Sequence, residues 1–131
     1  MMFVDSSAVV AILSREPDAP ELARRLEEAS PRMTSALVIL ESAMRLASKL
    51  DMEPTVVHAA IELFLGEAEI EVTPIDRNDA GAAVEAFARY GKGCGHPAQL
   101  NLADCLSYAC AKNRGLALLY EGGDFARTDL G

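Results

Sequence analysis

The chain has 131 residues, 12 basic against 20 acidic side chains, a formal charge of −8 at pH 7, and half of its residues are apolar. This excludes a disordered chain and gives one domain spanning residues 1–131, large enough to form a core without disulfides or a structural metal. The acidity excludes a protein coated in basic patches for non-specific nucleic-acid binding, and leaves open a local phosphate contact or one made through a metal.

The apolar run Met1–Val4 stops at Asp5 and is too short for a signal peptide, and no apolar stretch reaches the roughly 18 residues of a membrane span. Cys94, Cys105 and Cys110 are odd in number, and on a helix Cys105 and Cys110 diverge by about 140°. They are expected to be reduced thiols in a cytoplasmic protein. Neither His58 nor His96 has a partner at zinc-site spacing.

In chain order, Met2–Val4 reads as a short buried strand ending at Asp5, with Ser6 or Ser7 capping a helix through Leu13. Asp18 and Pro20 open a second helix carrying Leu22, Leu26 and Ala29. Arg32–Thr34 is the next strand. Ser35 caps a helix whose apolar spacing runs from Leu37 to Leu50. Glu53-Pro54-Thr55 opens another, carried by Val57, Ala60, Ile61, Phe64 and Leu65. Ile70–Thr73 alternates as a strand does, and Asp76 or Asn78 starts a helix with Ala80, Ala83, Val84 and Phe87 on its apolar face. Tyr90–Pro97 is a long glycine-rich loop. Asn101 caps the helix bearing Asp104, Leu106, Ala109 and Cys110, which ends at a left-handed Gly115, and Leu116–Tyr120 is the last strand. Strands alternating with helices, without tandem hairpins, predict an α/β domain with a mostly parallel sheet.

In such a sheet ligands bind beyond the carboxyl ends of the strands. Asp5 follows the first strand directly, and Asp124 follows the last by a short glycine turn. Glu41 lies six residues after Ser35, about 9 Å of helical rise, and Asp104 lies in the first turn of its helix. Singly, each has a bland explanation as a cap, a turn residue or a solvent-facing glutamate. Jointly, four carboxylates map to one edge. Such a cluster is costly unless a divalent cation neutralises it. Mg²⁺ takes oxygen ligands and keeps waters, and it enables phosphodiester hydrolysis by polarising a phosphoryl oxygen and activating water.

The segment Val4-Asp5-Ser6-Ser7-Ala8 resembles the opening motif of PIN domains, and Ser35–Glu41 is similar to their second motif. Leu100–Ala109 is close to the third as VapC toxins carry it, and Leu118–Phe125 followed by Thr128-Asp129 is similar to the fourth. The resemblance covers essentially the whole chain. It implies a three-layer α/β/α domain with a short, mostly parallel central sheet. It implies a Mg²⁺-dependent endoribonuclease, Mn²⁺ serving as a substitute, that is the toxin of a type II VapBC toxin–antitoxin pair. Under it Asp5 and Asp104 bind metal, Glu41 and Asp124 complete the catalytic set, and Ser7 and Ser35 support the carboxylates. One departure is Gly123, which stands where many PIN domains have a further acidic residue.

The loop Gly91-Lys92-Gly93 lacks the P-loop spacing and follows a helix rather than a strand. Lys92, His96 and Arg127 are the phosphate-contact candidates. A receiver domain would need an acidic pair after the first strand and a lysine after the last, and has neither here. The remaining alternative is a catalytically idle PIN domain that only binds RNA or protein. The expected partners are RNA, a VapB-type antitoxin placing an arginine or lysine among the four carboxylates, and a second copy of the chain. The surplus apolar positions in 36–50 and 56–65 point to that homodimer.

Overall fold

The computed structural model describes residues 1–131. It contains four three-residue strands and six helices: β1 (Met2–Val4), α1 (Ser6–Leu13), α2 (Ala19–Glu28), β2 (Arg32–Thr34), α3 (Ala36–Leu50), α4 (Pro54–Glu67), β3 (Ile70–Val72), α5 (Arg77–Tyr90), α6 (Leu102–Arg114) and β4 (Ala117–Leu119). Every neighbouring pair in the sheet is parallel, in the order β3-β2-β1-β4. The registers pair Phe3 with Met33 and Leu118, and Met33 with Glu71.

The order explains the layers. From β1 to β2 to β3 the chain steps one way across the sheet, and from β3 to β4 it returns. Right-handed crossovers then place α1–α4 on one face and α5–α6 on the other. Central β1 is buried on both faces, as its unbroken Met2-Phe3-Val4 requires, whereas the edge strand β3 buries Ile70 and exposes Glu71 and Val72. Helix α6 packs on β1 and β4 and is buried on most of its circumference, which suits its small side chains Ala109, Cys110 and Ala111.

Two local expectations change. Asp5, not Ser6 or Ser7, caps α1, its side chain accepting from the Ser7 backbone. Helix α5 is also turned relative to its apolar stripe. It buries Asp79, Ala83, Ala86 and Tyr90, while Ala80, Val84 and Phe87 are exposed. The cause is Asp79. Its carboxylate takes a fork from Arg114 at 2.7 and 2.9 Å, a bond from Asn113 Nδ2 at 3.0 Å and one from the Asp76 backbone at 3.0 Å. These bonds hold the carboxyl well below the usual carboxylate range and draw this face of α5 onto α6. At the C-terminus, Tyr90, Tyr108 and Lys112 all donate to the Asp129 carboxylate, fastening the tail to both helices.

Candidate active site

Three chain segments leave the carboxyl ends of β1, β2 and β4, and α6 starts at the same edge because it runs antiparallel to the strand it feeds. Between them lies a cavity of about 350 Å³. Asp5, Glu41, Asp104 and Asp124 all line it, so the structure brings together the four carboxylates that the sequence placed on one edge. Glu121 and Arg45 join them.

Asp5 is 2% exposed. Its backbone N–H continues the β1–β4 ladder by donating to Leu119 O at 3.0 Å. Its Oδ2 accepts from the Ser7 backbone at 3.0 Å and from the Ser7 hydroxyl at 2.7 Å. The same hydroxyl accepts from the Glu121 backbone at 3.0 Å, so Ser7 ties the end of β1 to the loop after β4. Asp5 Oδ1 is buried and has no partner.

Asp104 sits in a reciprocal cap, its N–H donating to Asn101 Oδ1 at 2.9 Å and its Oδ2 accepting from the Asn101 N–H at 3.1 Å. Burial pushes its carboxyl up to about 7 against the favourable Asn101 bond, and the charges of Asp5, Asp124 and Glu41 push the same way. Glu41, in the second turn of α3, is half-buried rather than solvent-facing and accepts at Oε1 from the Ser6 hydroxyl. Asp124 is exposed, on the loop that follows β4. The Glu121 carboxyl is raised by burial and then by the neighbouring Asp18 carboxyl.

Ser7 therefore does what was expected of it, and Ser35 does not. Ser35 caps α3 by accepting from Val38 N at 3.3 Å and gives no bond to a carboxylate, while Ser6, which the sequence offers only as a helix cap, takes that place. Of the phosphate-contact candidates, none lines the acidic cavity. Lys92 borders an apolar cavity between α5 and α6, His96 accepts from Ala98 N at 3.0 Å, and Arg127 is exposed elsewhere. The cation on the wall is Arg45, one helical turn after Glu41, and that spacing was the signal available in the sequence.

The donor set is all carboxylate and hydroxyl oxygen, which suits a hard divalent cation. No three acidic, histidine or cysteine side chains are grouped closely enough to grip an ion by themselves. The orphaned Asp5 Oδ1 is the buried oxygen that a bound cation would satisfy.

The PIN domain family profile matches residues 2–130. The chain belongs to the PIN domain family. Within it the relatives are VapC ribonucleases: one from Rhizobium meliloti is 41% identical, with both chains covered in full, and VapC28 of Mycobacterium tuberculosis is 43% identical over 97% of this chain and 93% of its own. The crystal structure of Mycobacterium tuberculosis VapC20, described as a sarcin-ricin loop cleaving toxin, superposes with a TM-score of 0.71 over 98% of this chain and 95% of its own. At 22% identity that likeness concerns the fold of this PIN domain.

Proposed function

We propose that this PIN domain is the ribonuclease toxin of a VapBC-type pair and hydrolyses RNA at the acidic cavity with Mg²⁺, for which Mn²⁺ substitutes. One observation carries the reading. The chain buries a carboxylate, Asp5, with one oxygen fully engaged by Ser7 and the other unpartnered, on the wall of a cavity it shares with four further carboxylates. Such an arrangement is costly in the empty protein and pointless without a cation.

Asp5 and Asp104 would hold the ion. When bound, it supplies a Lewis acid that polarises a phosphoryl oxygen and acidifies a water. Ser7 and Asn101 occupy Asp5 Oδ2 and Asp104 Oδ2, which fixes both carboxylates and would leave each Oδ1 available to hold an ion. Ser6 fixes Glu41 Oε1, so Oε2 is the oxygen free to take a proton from the attacking water. Asp124, on the loop after β4 beside Gly122 and Gly123, completes the acidic set.

An antitoxin of the VapB type fits the same cavity by inserting an arginine or lysine among the four carboxylates in place of the metal. A second copy of the chain fits the apolar surface beside it. Leu40 and Met44 on α3, Val84 and Phe87 on α5, and Leu102 at the start of α6 are all more than half exposed. Leu102 borders both the α3–α6 and the α5–α6 cavities, so these side chains form one continuous surface. No helix is long and apolar enough to cross a membrane, and we place the protein with its RNA in the cytoplasm. Mapping new RNA ends after induced expression tests the function: discrete cleavage sites should appear with the native chain and vanish with Asp5→Asn, and an unchanged set of ends would refute it.

A further inference from the structure

We propose that Arg45 is the phosphate-binding residue of this site, gripping the RNA backbone beside the scissile bond. The inference rests on the nuclease reading above and adds to it the group that brings RNA to an acidic cavity.

The wall of the cavity carries five carboxylates, Asp5, Glu41, Asp104, Glu121 and Asp124, and one cation, Arg45. A phosphodiester approaching a chain of charge −8 gains nothing at long range, so its attraction has to come from a contact made within the screening length. Three of the other arginines are already committed. Arg24 pairs with Glu21 and Glu28, Arg32 donates to the carbonyls of Glu27, Ala29 and Ala68, and Arg114 is forked on Asp79. Arg45 forms no ion pair. The acid one turn before it, Glu41, is instead engaged by Ser6. Its guanidinium therefore keeps a full set of donors in the geometry that matches a phosphate bidentately.

Its position gives the contact a direction. Glu41, Arg45 and Lys49 follow one another on α3 at about 6 Å of rise per step. Arg45 borders both the acidic cavity and a neighbouring one of about 420 Å³ lined also by Val10, Met44, Ser48 and the Lys49–Glu16 pair. The RNA backbone runs from the carboxylates along α3, with Arg45 on the phosphate that flanks the reacting one and the second cavity receiving the adjacent nucleotide.

The test is binding of a 2′-O-methyl RNA oligomer in Mg²⁺, followed by anisotropy at several salt concentrations, with cleavage of ordinary single-stranded RNA measured in parallel. Arg45→Ala should weaken binding at least tenfold and lower the slope of log affinity against log salt by about 0.7, the contribution of one single-strand phosphate. Arg45→Lys should restore the slope and only part of the affinity, because the fork is lost. Arg127→Ala, an exposed cation outside the cavity, should change neither. Native affinity and slope in Arg45→Ala, an equal loss in Arg127→Ala, or no binding by the native chain would each overturn the assignment. Binding that depends on Arg45 without any cleavage would support it and count against the nuclease reading alone.

Discussion

Ser7 donates twice to the same oxygen of Asp5, from its backbone at 3.0 Å and from its hydroxyl at 2.7 Å, while the other Asp5 oxygen stays buried and unpartnered. The Ser7 hydroxyl is itself oriented by the Glu121 backbone, so this one side chain couples β1 to the loop after β4. A carboxylate held in this way cannot rotate away from the cavity.

Removing either member should separate chemistry from folding. Asp5→Asn should abolish measurable cleavage in a folded protein. Ser7→Ala should lower turnover about 10- to 100-fold, as loss of a ligand-orienting partner does, and cost about 1 kcal/mol of stability. Steady-state rates and circular dichroism melts on the same preparations check both. A Ser7→Ala enzyme with native turnover would show that the hydroxyl orients nothing.

The metal-free protein should be less stable at high pH than at low pH. Burial holds the proton on the Asp104 carboxyl to about 7 in the folded chain, well above the usual carboxylate range of the unfolded one. Between the two the folded state binds more protons than the unfolded state, so stability falls as pH rises through that window. Below it both forms are protonated and the slope vanishes. In EDTA the melting temperature should therefore drop by a few degrees between pH 5 and pH 8, and millimolar Mg²⁺ at pH 8 should recover it. Asp104→Asn should erase this pH dependence. A flat profile in the native chain would contradict the geometry.

Arg114 should matter for stability and not for chemistry. Asp79 is 1% exposed and depends on the Arg114 fork. Arg114→Met strands a buried carboxylate and should cost about 3–5 kcal/mol, read as a shift in the urea midpoint. Cleavage by the fraction that remains folded should be native-like.

The apolar surface on α3, α5 and α6 should close a dimer. Light scattering at tens of micromolar should give twice the chain mass, and Val84→Glu should give a folded monomer whose thermal midpoint is lower and no longer rises with protein concentration. A strictly monomeric native chain would remove the dimer and leave the nuclease assignment intact.

The strands and helices, and the edge on which the carboxylates meet, were legible because apolar runs, caps and glycines act locally. Arg32–Thr34 and Ala36–Leu50 fall where the pattern put them. Long-range polar contacts were not legible. The turn of α5 is set by Asp79 reaching Arg114, 35 residues away in sequence. The support of Glu41 comes from Ser6, also 35 residues away. The glycine loop draws attention to Lys92, whereas Arg45, a helical arginine one turn past a glutamate, reads as an ordinary surface pair and is not singled out by the sequence.

The central claim is that this carboxylate cavity hydrolyses RNA with a divalent cation. Purified chain should cleave single-stranded RNA in Mg²⁺, stop in EDTA, resume when Mg²⁺ or Mn²⁺ is restored, and show no activity as Asp5→Asn or Asp104→Asn under the same conditions. Cleavage that persists in EDTA, or survives in folded Asp5→Asn protein, would contradict it.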